Sequence, residues 1–138
     1  MKANTLIFIF LLLISMVSCK KDEVVEDTTP QLAQKIEGVY LLSSLLKSGN
    51  LANVTSTASG IATVTAKNNS TATIKYSLTI GNVNQEVTND YTVTQNGNDY
   101  LVKDKNGVGG AVQANKLKMT ITFFGPTSSQ DYLIEYTK

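Results

Sequence analysis

Ten residues constrain most of what this chain can fold into. From Thr71 to Ile80 it reads Thr-Ala-Thr-Ile-Lys-Tyr-Ser-Leu-Thr-Ile. Ala72, Ile74, Tyr76, Leu78 and Ile80 alternate without exception with Thr71, Thr73, Lys75, Ser77 and Thr79. A helix would scatter these apolar side chains around its circumference, whereas a strand sets them all on one face. The stretch is therefore a strand with one face buried and the other in water, as antiparallel sheets allow.

The same period recurs along the chain. Leu117, Met119, Ile121 and Phe123 alternate with Lys116, Lys118, Thr120 and Thr122, and Tyr132, Ile134 and Tyr136 continue the theme. Val87, Tyr91 and Val93 alternate with Thr88, Asp90, Thr92 and Thr94. Gly81-Asn82, Asn96-Gly97 and Asp104-Lys105-Asn106-Gly107 separate the runs. Asn-Gly between alternating segments is a strong hairpin signal. Gly125-Pro126 breaks the chain before its last strand. Ile61 to Lys67 is a β-branched run that ends in the turn residues Asn68-Asn69-Ser70. Tyr100 to Lys103 and Val108 to Gln113 are short, and Gly109 and Gly110 weaken the second of them. Tyr40 to Leu46 is apolar around Ser43 and Ser44, which predicts a strand buried on both sides at its middle. Asn50 to Ser59 is small and polar and reads as a long connection or a weak edge segment.

About eight short strands at near-regular spacing predict an all-β fold. The tight turns make sequential strands neighbours, which is an antiparallel up-and-down meander. Such a meander closes most easily as a barrel, because closure removes the unpaired edges. No helical period is visible after Val17. A length of 138 residues is that of a single domain.

The N-terminus has a different character. Lys2 precedes an apolar run from Leu6 to Val17, too short to span a bilayer but suited to the core of a signal peptide. Met16-Val17-Ser18-Cys19 resembles the lipobox of bacterial lipoproteins, where a peptidase cuts before the cysteine and its thiol is diacylated. The following Lys20-Lys21-Asp22-Glu23 resembles the signal that sends Bacteroidota lipoproteins to the outer face of the outer membrane. Residues 1–18 are thus expected to be a signal peptide. Residues 19–35 would be an acylated cysteine and flexible tether, and 36–138 the folded domain. The tether carries Asp22, Glu23, Glu26 and Asp27, and it has too few apolar residues to offset the entropy of ordering. Asp27-Thr28-Thr29 matches the short O-glycosylation pattern of the same bacteria, which makes Thr28 a candidate acceptor.

Cys19 is the only cysteine, so neither an internal disulfide nor a cysteine-based zinc site can form. Formal net charge is +1, and all 12 basic residues are lysines. A near-neutral surface without arginine offers nothing to nucleic acid. The chain also lacks histidine, the usual general base near neutral pH and the commonest transition-metal ligand. These absences point away from an enzyme, and no cofactor is expected.

Lys35-Ile36-Glu37-Gly38-Val39-Tyr40, and the closing Asp131-Tyr132-Leu133-Ile134-Glu135-Tyr136, resemble the lipocalin-like domains of Bacteroidota lipoproteins. The resemblance implies an eight-stranded calycin-type barrel in which Gly38 and Tyr40 match the first-strand signature. Lipocalins proper place an arginine from the last strand over that aromatic ring. This chain has no arginine to put there.

Four constellations could carry chemistry. Asp104 to Gly107 begins like a calcium loop but lacks the distal glutamate, which favours an ordinary turn. Asn96 to Asp99 reads the same way. Glu86, Asp90, Asp99 and Glu135 could supply a carboxylate pair, but most occupy polar-face or turn positions and read as solvated. The tyrosines, at 40, 76, 91, 100, 132 and 136, either fill the barrel or line a cavity with hydroxyl tips. Tyr40, Tyr76, Leu78, Tyr91 and Val93 are the candidate cavity residues. Small inward residues such as Ala72, Val87, Val102 and Val112 would leave room beside them. The expected function is a surface-exposed outer-membrane lipoprotein, held to the membrane through Cys19, whose barrel takes a small apolar or amphipathic ligand. The alternative is a non-catalytic accessory lipoprotein that docks an outer-membrane or extracellular protein.

Overall fold

The structure is a computed structural model, and it describes residues 31–47 and 57–138. The expected signal peptide, Cys19, Lys20 to Glu23, Thr28 and most of the connection after Asn50 lie outside the described residues.

One short helix precedes eight strands. These are α1 (Leu32–Ile36), β1 (Gly38–Lys47), β2 (Ala58–Ala66), β3 (Thr71–Ile80), β4 (Val83–Asn96), β5 (Asp99–Lys103), β6 (Gly109–Gln113), β7 (Lys116–Phe124) and β8 (Ser129–Thr137). Each strand pairs antiparallel with the next, and β8 returns to β1, so the meander closes into a barrel as expected. Among the described residues, every ladder and every core residue falls between Ala33 and Thr137, so helix and barrel share one core.

The alternating pattern sets the faces. On β3, Ala72, Ile74 and Leu78 are fully buried and Tyr76 nearly so. On β7, Leu117, Met119, Ile121 and Phe123 point inward, while Lys116, Thr120, Thr122 and Phe124 are exposed. Two-residue turns join Ile80 to Val83 and Asn96 to Asp99, with Gly81 and Gly97 at positive φ. The glycines that weaken the β6 signal have a tertiary purpose. A Cβ on Gly109 would lie 1.8 Å from the Val102 carbonyl oxygen, and one on Gly110 would lie 1.8 Å from that of Lys118.

Three local expectations are corrected. First, β1 is not buried on both faces at its middle. The register with β8 shifts between Leu42 and Ser44, which inserts Ser43 as a bulge. Leu42 then lies opposite Tyr136 and Leu45 opposite Ile134, both inward, while Leu41 is 61% exposed. The Ser43 hydroxyl donates to the Glu135 carbonyl at 2.9 Å.

Second, order begins before Lys35. Helix α1 packs across one end of the barrel against β2, β3 and β4, and Ala33 and Ile36 belong to the core. Five residues are too few for a helix to stand alone in water, so packing rather than propensity makes it. The Ala33 amide donates to the Asn69 carbonyl, and the Tyr40 hydroxyl donates to the Ile36 carbonyl at 2.6 Å.

Third, a cation does sit over the first-strand aromatic. The Lys138 ammonium lies 5.7 Å from the centre of the Tyr40 ring, within cation–π range, and also donates to the Glu37 carbonyl. The sequence offered no arginine for this position, and the C-terminal lysine supplies the cation instead.

Candidate functional site: the barrel interior

The interior is apolar apart from its tyrosines. No buried residue among those described is charged or polar in the ordinary sense, and the core consists of aliphatics, Met119, Phe123 and tyrosines. The candidate cavity residues divide by height. Tyr40 stands at the helix-capped end with its hydroxyl committed to Ile36. Tyr76 and Leu78 face inward from β3, and Tyr91 and Val93 face inward from β4.

Tyr136 on β8 also faces inward, and Tyr76 lies within electrostatic reach of both Tyr91 and Tyr136. Burial pushes the Tyr76 hydroxyl up to about 12, with Tyr91 adding to the rise and a side-chain hydrogen bond with Gln85 opposing it. Burial also raises Tyr91, against a hydrogen bond with Asn89 and with the Asp104 charge adding to the rise. Tyr136 is raised by burial first and by Tyr76 second. All three are therefore neutral hydroxyls at physiological pH, able to donate and to accept. The Tyr136 oxygen is buried and has no protein hydrogen-bond partner. A glycine gives its ring space, since a Cβ on Gly60 would lie 3.4 Å from Tyr136 Cε1.

At the end opposite α1, strand lengths are unequal. β5 and β6 have five residues each, against 14 in β4 and nine in β7. β4 pairs with β5 only from Thr92 onward, and β7 pairs with β6 only as far as Met119. Gln85 bridges the remaining interval. Its Nε2 donates to the Thr122 carbonyl at 3.0 Å, and its Oε1 accepts from the Phe124 amide at 2.9 Å. One side-chain amide thus does for β7 what a neighbouring strand would do. Sequence reasoning missed Gln85, because a polar residue on a half-buried strand carries no sign of the distant backbone it meets.

The acidic candidates all lie on the outer wall or in turns. Asp104 Oδ1 accepts from the amides of Asn106 and Val108, so this carboxylate caps its own turn, as the turn reading predicts. Together with Asn89, Asp90, Lys105 and Asn106 it borders a surface hollow of about 270 Å³. Glu86 pairs with Lys75, Asp90 with Lys67, and Glu135 with Lys116 and Lys118. Asp99 accepts from Gln113. Asp90 and Asp104 border the same hollow, but Asp90 is paired with Lys67 and Asp104 is spent on its turn. Among the described residues, no three metal-ligating side chains come together.

No protein-family model matches the chain. A search of curated proteins gives no match. Among solved structures, the chain is similar to the siderocalin Ex-FABP, a protein described as functioning through dual ligand specificities. That similarity has a TM-score of 0.48 at 7% sequence identity and covers 75% of this chain and 73% of the other.

Proposed function

We propose that the barrel binds one small apolar or amphipathic molecule in its interior. The observation that carries this reading is three buried, inward-facing tyrosines, Tyr76, Tyr91 and Tyr136, in an otherwise apolar interior, with Tyr76 in electrostatic reach of the other two. One of them lacks a protein partner. Ligand sites are typically apolar cavities with a few polar groups that fix orientation. An eight-stranded barrel is wide enough for its side chains alone or for one small ligand. The test is a thermal-shift screen of fatty acids, sterols, quinones and bile-acid-like compounds against the chain from Gln31 onward, so that α1 is kept. A ligand present at about 100 times its Kd stabilises by about 2.7 kcal/mol, or roughly 10 °C in a domain of this size. If no compound raises the melting temperature, the reading fails.

A second reading rests on the outer wall. Leu41 lies opposite Ile61 on the β1–β2 ladder with Val39 beside it, and these three are 61%, 41% and 51% exposed. This strip would serve the accessory lipoprotein that docks a protein partner. Leu41→Ser should abolish such a complex and leave small-molecule binding untouched.

In either case we place the protein on the outer face of the outer membrane, anchored through acylated Cys19 and exported by the Lys20 to Glu23 signal. Cys19→Ser should leave the chain unacylated and uncut. Alanine at Lys21, Asp22 and Glu23 should keep the lipid but protect the protein from protease added to intact cells. Equal shaving of that variant and the natural protein would refute the export signal. Mass spectrometry of the mature chain would show whether Thr28 carries a glycan.

A further inference from the structure

We infer that the polar group which a ligand buries in this barrel is uncharged: a hydroxyl or a carbonyl that hydrogen-bonds the tyrosine cluster. The inference rests on the ligand-binding reading above and names the chemistry of that same site.

The reasoning begins with what could neutralise an ion. The chain has no arginine and no histidine. From Lys35 on, every lysine is exposed except Lys118, and that one is half-buried on the outer wall against Glu135. Lys138 is occupied at the capped end by the Tyr40 ring and the Glu37 carbonyl. Residues 48–56, between β1 and β2, include no charged residue. A carboxylate or phosphate drawn down to the cluster would therefore lose its hydration with no counter-ion in return, and that transfer is prohibitive.

A cationic group fares no better. The one carboxylate whose charge reaches the cluster, Asp104 near Tyr91, is committed to the amides of Asn106 and Val108, and the others face the outer wall or a turn. The tyrosines cannot serve as anions either, because burial keeps their protons on.

A neutral group is suited to what is present. A tyrosine hydroxyl donates once and accepts up to twice, so it can meet a ligand alcohol or a ligand carbonyl. Tyr76 keeps 6% and Tyr91 4% of its surface accessible, whereas the Tyr136 hydroxyl is enclosed and unpartnered. Tyr76 is thus the first contact, with Tyr136 behind it. One cation stands where an anionic headgroup could stay in water. Lys47 ends β1 opposite the inward-facing Tyr132 and is exposed, so it lies at the rim on the inner face. An acid would bind head-out against Lys47, with only its tail inside.

The test displaces the neutral dye N-phenylnaphthylamine from the chain beginning at Gln31, using dodecanol, its methyl ether and dodecanoate at about pH 8, where the acid is ionised. The natural barrel is compared with Tyr76→Phe, Tyr136→Phe and Lys47→Gln, three substitutions that keep the size of the side chain. Dodecanol should bind, and Tyr76→Phe should weaken it by about tenfold, the worth of one hydrogen bond. The methyl ether, which cannot donate, should respond less to that change. Dodecanoate should bind only through the rim and be weakened by Lys47→Gln, with little response to Tyr76→Phe. Dodecanoate that binds Lys47→Gln as tightly as dodecanol does would overturn the inference while leaving the binding reading intact. Dodecanol indifferent to both tyrosine substitutions would do the same. If neither the dye nor any chain binds, the ligand-binding reading falls and takes the inference with it.

Discussion

Replacing Tyr136 with phenylalanine should stabilise this protein in the absence of ligand. The residue is 1% exposed, and its hydroxyl oxygen has less than 1 Å² of accessible surface and no protein partner. In the unfolded chain that hydroxyl is hydrated. Burying it without a bond costs about 1–3 kcal/mol. Phenylalanine keeps the ring, and with it the packing against Gly60, so only the unmet desolvation is removed. The expected gain is about 1 kcal/mol, which for a domain near 100 residues is a rise of about 4 °C. Tyr40→Phe makes the same chemical change and supplies the control. There the hydroxyl donates to the Ile36 carbonyl at 2.6 Å, and its loss strands a buried acceptor where α1 joins the barrel. That variant should lose about 1–2 kcal/mol. Urea titrations followed by circular dichroism would read both, with unchanged m-values showing that only stability has moved. A Tyr136→Phe protein less stable than the natural one would refute the reasoning, because it would mean that the hydroxyl is satisfied in the folded state.

Three further outcomes follow from particular contacts. Ala114 and Asn115 form the two-residue turn between Gln113 and Lys116 with φ of 47° and 48°, so Ala114→Gly should relieve left-handed strain and stabilise by about 1 kcal/mol in the same titration. Leu78→Asp buries an unpaired charge and should unfold the barrel, whereas Thr79→Asp on the outer face should stay within about 0.5 kcal/mol; equal damage would overturn the face assignment. Gln85→Ala removes both bonds to β7, so the Phe124 amide should exchange with deuterium faster while core amides of β3 do not change.

Alkaline pH gives one more test, with a fixed sign. Tyr76 is raised by burial to about 12 in the folded barrel, against about 10 in an unfolded chain. The stability it contributes is complete below pH of about 10 and drains away as pH rises toward about 12, where the unfolded state gives up the proton first. Tyr76→Phe should therefore move the midpoint of alkaline unfolding upward. A downward shift would mean that the hydroxyl ionises more readily in the fold than outside it.

Strand positions and faces were legible in the sequence because a strand's side-chain period is local. The alternation at Thr71–Ile80 and at Lys116–Phe124 needed no knowledge of the partner strand, and Gly81 and Gly97 marked their own turns. Even barrel closure followed, because a meander of short strands has sticky edges and one economical way to lose them. Other features depended on groups distant in sequence. Ser43 became a bulge because β1 must register with β8 as well as with β2. Leu32 to Ile36 became a helix because one end of the barrel offered it an apolar seat. Ala114 and Asn115 turn left-handed because the β6–β7 ladder leaves them two residues in which to reverse. The candidate site divides in the same way. The sequence marked Tyr76 and Tyr91 as inward, but only the tertiary structure brought Tyr136 to Tyr76 and left its hydroxyl unpaired. It also used the Tyr40 hydroxyl on Ile36 and sent Gln85 across to β7. A side chain's face is fixed by its own strand, but the atom that meets its tip belongs to whichever strand closure brings alongside.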